Sequence, residues 1–172
     1  MKNKKLFNDE LLDLVDHDDR VIGQKLRSEV HAKKLINYRL VGGMVVNRKR
    51  ELWIPRRTMH KQLLPGYLAT SMGGHVAAGE TYSIAFEREL EEELYLKLAE
   101  LSYKPLGLLT PHQHGINAFT MMYEILLDEV VTYNKNDFSE GFWLTPQQFF
   151  DRVKNGEKSG TILKRVIELF YC

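Results

Sequence analysis

The fold class that the sequence predicts is α+β, a sandwich with a mixed β-sheet between helices. Three observations carry that expectation. Short runs with strand-like alternation or β-branched content interleave irregularly with runs of helical period, instead of repeating as strand–helix units. A chain of 172 residues has the length of about one domain. Hydrophobic residues make up 44% of it, enough for one substantial core. No repeat, low-complexity linker or second domain interrupts it, so residues 1–172 are read as a single domain.

Taken in order, the elements begin with a hairpin extension over about residues 1–30. Leu11–Asp16 and Val21–Leu26 read as short strands around the acidic turn His17-Asp18-Asp19-Arg20. Tyr38–Val46, apolar, β-branched and containing Gly42-Gly43, reads as a central strand. Asn47-Arg48-Lys49-Arg50 is a turn, and Glu51–Pro55 the returning partner. A loop through Gly73, Gly74 and Gly79 leads into a helix on which Phe86, Leu90 and Leu94 recur every four residues, a stripe for the core. Leu106–Thr110 and Phe119–Leu127 read as strands separated by the polar loop Pro111-His112-Gln113-His114-Gly115. Phe142–Leu144 is a short strand. Thr145 then caps a helix with Pro146 at its first position. A last helix, Thr161 to Tyr171, carries Ile162, Val166, Leu169 and Phe170 at helical spacing.

Composition narrows the partners. With 24 basic and 23 acidic residues the formal charge is +1, which gives no field that would gather nucleic acid or an anionic membrane. Any anion selectivity must be local. The one cysteine, Cys172, allows neither an internal disulfide nor a cysteine metal cluster, so a reducing cytoplasm is the expected compartment. The basic opening meets acidic residues before any uninterrupted apolar run, which argues against a signal peptide or membrane span. A small-molecule substrate is the expected partner, and a homodimer is compatible with the sequence.

The chemistry concentrates in Arg88-Glu89-Leu90-Glu91-Glu92-Glu93. On a helix, Glu89, Glu92 and Glu93 share one face. Crowded carboxylates repel one another, a cost relieved by hard divalent cations such as Mg²⁺ or Mn²⁺. A solvated helix face is the plainer reading of an isolated glutamate run, but the spacing upstream favours a site. Gly74, five residues, Glu80, seven residues, Arg88-Glu89, Leu90, one residue and Glu92-Glu93 resembles the signature box of the Nudix hydrolases, here residues 74–96. That resemblance implies the Nudix fold, an α/β/α sandwich, and metal-dependent hydrolysis of a diphosphate linkage. The implied metal ligands are Glu89, Glu92, Glu93 and a Gly74 or Gly73 carbonyl, with Arg88 orienting the acids. Glu80 is expected either to stabilise the helix start or to join the metal network. The box ends in aliphatic Leu96, but its glycine position holds Tyr95, which implies either a left-handed residue at some cost or a helix running on into Lys97-Leu98.

The flanks resemble a particular branch, that of isopentenyl-diphosphate isomerase, over roughly Leu11 to Phe150. The resemblance implies diphosphate contacts from Arg57 and Lys61, and Arg56 is a third candidate; paired basic groups after a strand suit phosphate oxygens. The isomerase chemistry is not expected. Its cysteine position is Gly73, one of its metal histidines falls at Tyr38, and its later glutamates fall near Ala118 and Thr120. His31 and His75 match the remaining histidines. Hydrolysis also needs a general base, for which Glu89, Asp137 and Glu140 are the candidates. His112 and His114 are placed on a loop facing the substrate. The alternative readings are an isomerase-like enzyme and a non-catalytic binding module of the same fold.

Overall fold

The structure is a computed structural model and describes residues 9–130 and 132–172, so the first eight residues of the expected extension lie outside the described part. From there, β1 (Leu11–Val15) and β2 (Val21–Leu26) form the expected antiparallel hairpin. Its tip is pinned to the body: Arg39 Nε donates to Asp19 at 2.7 Å, and the Tyr82 hydroxyl donates to the same carboxylate. The chain then forms α1 (Arg27–Ala32), a helix that the sequence does not announce. Its six residues bury one side chain, Val30, too little for a periodic apolar stripe.

The main sheet contains β3 (Arg39–Val46), β4 (Leu52–Arg57), β5 (Met72–His75), β6 (Ser102–Leu109), β7 (Phe119–Leu126) and β8 (Phe138–Leu144). Strand order is β6-β7-β3-β4-β8, with β5 also on β3. The β3–β7 pair is parallel and the others antiparallel, so the sheet is mixed as expected. One edge of β3 serves two partners: Leu40 to Gly43 pair with β5, and Val45 and Val46 pair with β4. The segment 58–71 leaves the sheet at this fork.

Alternation along the strands sorts two cores. Val41, Val45, Trp53, Tyr123 and Ile125 pack with Phe86, Leu90 and Leu94 of α2 (Tyr82–Leu94). Met44, Leu52, Ile54 and Met122 pack beneath α4 (Pro146–Lys154) and α5 (Thr161–Phe170), through Phe149, Leu163, Val166 and Ile167. Phe86, Leu90 and Leu94 are fully buried, as the four-residue stripe requires. The result is the α/β/α sandwich. No described helix is long and apolar enough to cross a membrane.

Local departures from expectation have local causes. β5 replaces an expected loop because Gly73-Gly74 carries no β propensity of its own; its pairing with β3 is tertiary. β6 starts at Ser102 rather than Leu106, and an irregularity between Pro105 and Gly107 breaks its alternation. β8 starts at Phe138 rather than Phe142, its first half carrying exposed Ser139 and Glu140. Pro111–His114 is a single helical turn, α3, where a loop was expected.

The end of α2 decides between the two expectations for Tyr95. The helix does not run on: Tyr95 has φ 55° and ψ 30°, and its N–H bonds Glu91 O at 3.1 Å. A left-handed non-glycine residue is strained, and this one is 55% exposed and packs little. Replacing Tyr95 by Gly is therefore expected to stabilise the protein by about 1 kcal/mol, read as a raised midpoint in urea at unchanged slope.

Candidate active site

Helix α2 starts behind Thr81, whose hydroxyl accepts the Ile84 N–H at 3.3 Å. With Phe86, Leu90 and Leu94 fixed in the core, the carboxylates at positions 89 and 93 are carried onto β5. The Glu93 carboxylate accepts the Gly73 N–H at 2.8 Å. The Glu89 carboxylate lies against Gly74 so closely that a Cβ there would sit 2.0 Å from its Oε1. Adjacent glycines of one strand thus receive two acids one helical turn apart. Both are buried, at 9% and 5% exposure, while Glu92 sits at the surface.

Burial, and then the charge of Glu89, push the Glu93 carboxyl up to about 8, against the opposing Gly73 N–H bond. Burial likewise raises Glu89, with Arg88 opposing it. Arg88 bonds two of the box acids, Glu80 and Glu89. Its Nε and Nη2 each donate at 2.9 Å to the two oxygens of Glu80, Nη1 donates to Glu89 at 2.7 Å, and Nη2 also reaches His75 O at 2.9 Å. Glu80, which borders the same cavity as Glu89 and Glu93, holds Arg88, and the bonds from Arg88 keep its carboxyl below the usual range.

These groups line a cavity of about 1160 Å³, which exceeds the roughly 300–1,000 Å³ usual for small-molecule sites and has room for a nucleotide-sized ligand. Glu89, Glu92, Glu93, Arg57, Lys61 and Asp137 all border it. Arg57 Nε donates to Leu63 O at 3.0 Å, and Lys61 Nζ pairs with the Asp137 carboxylate. Thr58 N–H bonds Asp137 O, and Asn134 N–H bonds Glu93 O. The segment before β8 therefore links the basic arm to the end of the acidic helix.

Arg56 does not border the cavity, a correction to its expected phosphate role. Neighbouring residues of a strand point to opposite faces. Arg57 takes the cavity side, and Arg56 is bonded to Glu140 at 2.6 Å and to Glu157 at 3.2 Å. That pairing also places Glu140 outside the cavity and leaves Glu89 and Asp137 as the candidate bases. His112 and His114 lie elsewhere as well. His112 stacks on His17 with centroids 3.7 Å apart, and His114 Nδ1 accepts the Thr110 N–H at 2.9 Å.

His31 and His75 meet, with Nε2 atoms 3.0 Å apart, and Tyr38 stacks on His75. Burial first, with Arg27 next, lowers both imidazoles, His75 to about 3, so the pair is neutral. At Gly73 a Cβ would come 2.8 Å from Val41 O, so this backbone has no room for a cysteine. Among the described residues no three His, Cys, Asp or Glu side chains converge as a preformed metal centre. The three carboxylates expected to converge do not yet do so: Arg88 Nη1 lies between Glu89, at 2.7 Å, and the exposed Glu92, at 3.6 Å, while Glu93 is turned to the Gly73 N–H.

Glu10 and Arg27 also border the cavity, and neither was expected there. Arg27 and His31 are four apart on α1, so a reading of that helix would have put both on one face.

Comparison with known proteins agrees with this architecture. Residues 37–166 match the NUDIX domain. An uncharacterized Nudix hydrolase of Nostoc sp. (strain PCC 7120) is 48% identical over 163 residues, covering 95% of this chain and 96% of its own. A Nudix hydrolase of Deinococcus radiodurans is 40% identical, over 95% of each chain. A crystal structure of a D. radiodurans protein superposes with a TM-score of 0.90 at 39% identity, covering 95% of this chain and 100% of that one. By its domain, its box and its relatives, the chain belongs to the Nudix hydrolase family.

Proposed function

We propose that the protein is a metal-dependent hydrolase of a diphosphate linkage in a nucleoside diphosphate-X or related substrate. One observation carries the reading: a single cavity gathers the box acids Glu89 and Glu93 with the basic side chains of Arg57 and Lys61. The donor set is all oxygen, which suits a hard cation, and the crowding of Glu89 and Glu93 is a cost that such a cation removes. Glu89, Glu92, Glu93 and the Gly74 carbonyl would hold Mg²⁺ or Mn²⁺. When bound, the ion neutralises phosphate charge and acidifies a water.

The chain's own side chains do the rest. Arg88 holds Glu89 in orientation through its bond at 2.7 Å. Arg57 and Lys61 bind phosphate oxygens, Lys61 leaving Asp137 to do so. Glu89 or the released Asp137 carboxylate then takes the proton from the attacking water.

The test is a panel of nucleotide sugars, dinucleoside polyphosphates, non-canonical nucleoside triphosphates, coenzyme A and isoprenoid diphosphates, with Mg²⁺ or Mn²⁺, following release of phosphorylated products. Cleavage that requires the ion supports the proposal. Tight binding without cleavage across the panel would identify a binding module instead. On any cleaved compound, Arg57→Ala is expected to lower kcat/KM by about 10- to 100-fold, the loss of one charge-assisted bond.

A further inference from the structure

We propose that Asp13, on the N-terminal hairpin and outside the span matched as the family domain, is a positioning residue that sets Glu89 through the Gly79 turn and Arg88. The proposal rests on Glu89 serving the reaction described above.

Asp13 is 6% exposed, in a strand where its neighbours are Leu12 and Leu14. A buried carboxylate is costly unless its oxygens are bonded. Here Oδ2 accepts the Gly79 N–H at 2.9 Å and Oδ1 accepts the Gln24 amide at 2.9 Å. Gly79 has φ +81°, so the turn at this point depends on glycine and on the partner that its N–H meets.

From that turn the bonds continue without interruption. Ala78 N–H donates to Leu11 O at 2.8 Å, and Glu80 N–H to Ala77 O at 2.9 Å. The Ala77 N–H in turn donates to Glu80 Oε2 at 2.9 Å. Both Glu80 oxygens are taken by Arg88, and Arg88 reaches Glu89. The position of the Arg88 fork is therefore set by Glu80, the turn carries Glu80, and Asp13 supplies the side-chain tie from the hairpin to that turn. The hairpin has a separate anchor at its tip, where Asp19 meets Arg39 and Tyr82. That anchor touches neither Glu80 nor Arg88, which gives the experiment its control.

The experiment compares wild type, Asp13→Ala, Asp13→Asn and Asp19→Ala by NMR of the metal-free protein and by kinetics on a compound that wild type cleaves. In Asp13→Ala the Gly79 amide is expected to lose exchange protection, the Arg88 Nε–H resonance to broaden, and kcat to fall by about 10- to 100-fold with little change in KM. Asp13→Asn keeps a carbonyl acceptor and restores the Arg88 signal and kcat. Asp19→Ala loosens the hairpin tip and leaves both as in wild type. An unchanged Arg88 resonance in Asp13→Ala, or an equal change in Asp19→Ala, overturns the proposal. Should Asp13→Ala fail to fold, Gln24→Ala removes one of the two bonds to Asp13; a smaller shift of the same resonance is then expected, and none overturns it. A wild type that cleaves nothing defeats the hydrolase reading alone, because the resonances report the relay independently.

Discussion

Replacing Glu93 by Gln is expected to reduce turnover by about three orders of magnitude while leaving the metal-free protein folded and, above neutral pH, more stable than wild type. The amide keeps an oxygen for the Gly73 N–H, so the helix-to-strand bond survives. What disappears is the negative charge on the buried ligand, and stabilisation by a bound cation is worth several kcal/mol to a phosphoryl transition state. The stability effect has a defined sign. Burial, and then Glu89, raise Glu93 from the ordinary 4.5 to about 8 in the folded chain. A raised folded value means that folding favours the proton: the contribution is complete below about pH 4.5 and drains away as pH rises towards 8. Glu80 and His75 work in the opposite sense: Arg88 holds the Glu80 carboxyl low, so its contribution fades only in acid, while burial holds His75 at about 3, so its contribution builds as pH rises to about 6.5. Between pH 7 and 9, above the window of His75, the metal-free wild type should therefore lose a few degrees of Tm, and Glu93→Gln should lose much less. Equal slopes for the two proteins would show that Glu93 is not the group responsible. Addition of Mn²⁺ should stabilise wild type and release protons, because the ion takes the carboxylate form.

The site was legible where its chemistry is local to one helix and obscure where the sheet assembles it. Box spacing is enough to put Arg88 beside Glu89 and to turn Phe86, Leu90 and Leu94 inwards, because helical period fixes both. It is not enough to tell Arg56 from Arg57. Their separation depends on which face of β4 looks into the cavity, and that is set by packing: Trp53 enters the core beneath α2, Ile54 the core beneath α4 and α5. The Glu80–Arg88 pair was not legible for a similar reason: it requires the turn at Ala77 to fold back over Arg88 eight residues away. Arg27 escaped notice because a six-residue helix leaves almost no periodic trace, and Glu10, just before β1, because only its pairing with Arg27 across the hairpin brings it to the cavity. The left-handed Tyr95 was foreseeable as one of two outcomes, and helix α2 chose it by ending at Leu94.

Gly74→Ala is expected to lower activity far more than stability, although the replaced residue has no side chain of its own. Gly74 lies in extended strand β5, where an alanine backbone is acceptable, so the cost falls on what its methyl group meets. That is the end of Glu89: Oε1 at 2.0 Å and Cδ at 2.1 Å, distances that no side chain tolerates. The carboxylate must leave, breaking the bond from Arg88 Nη1, while Arg88 keeps Glu80 and His75 O. Overpacking of this kind costs about 1–3 kcal/mol, which a fold of this size survives. Activity should fall far more, by about 100- to 1,000-fold, because Glu89 no longer faces the cavity. Adding Glu89→Ala to Gly74→Ala removes the colliding group, so the double variant should recover most of the lost stability and none of the activity. A Gly74→Ala protein with near-normal turnover, or a double variant no more stable than the single, would show that Glu89 does not need the space over this glycine. Gly73→Ala makes the contrast. Its methyl group would meet the Val41 carbonyl at 2.8 Å, a backbone atom within the β3–β5 pair that cannot swing aside, and there the loss should appear in the fold as well as in the chemistry.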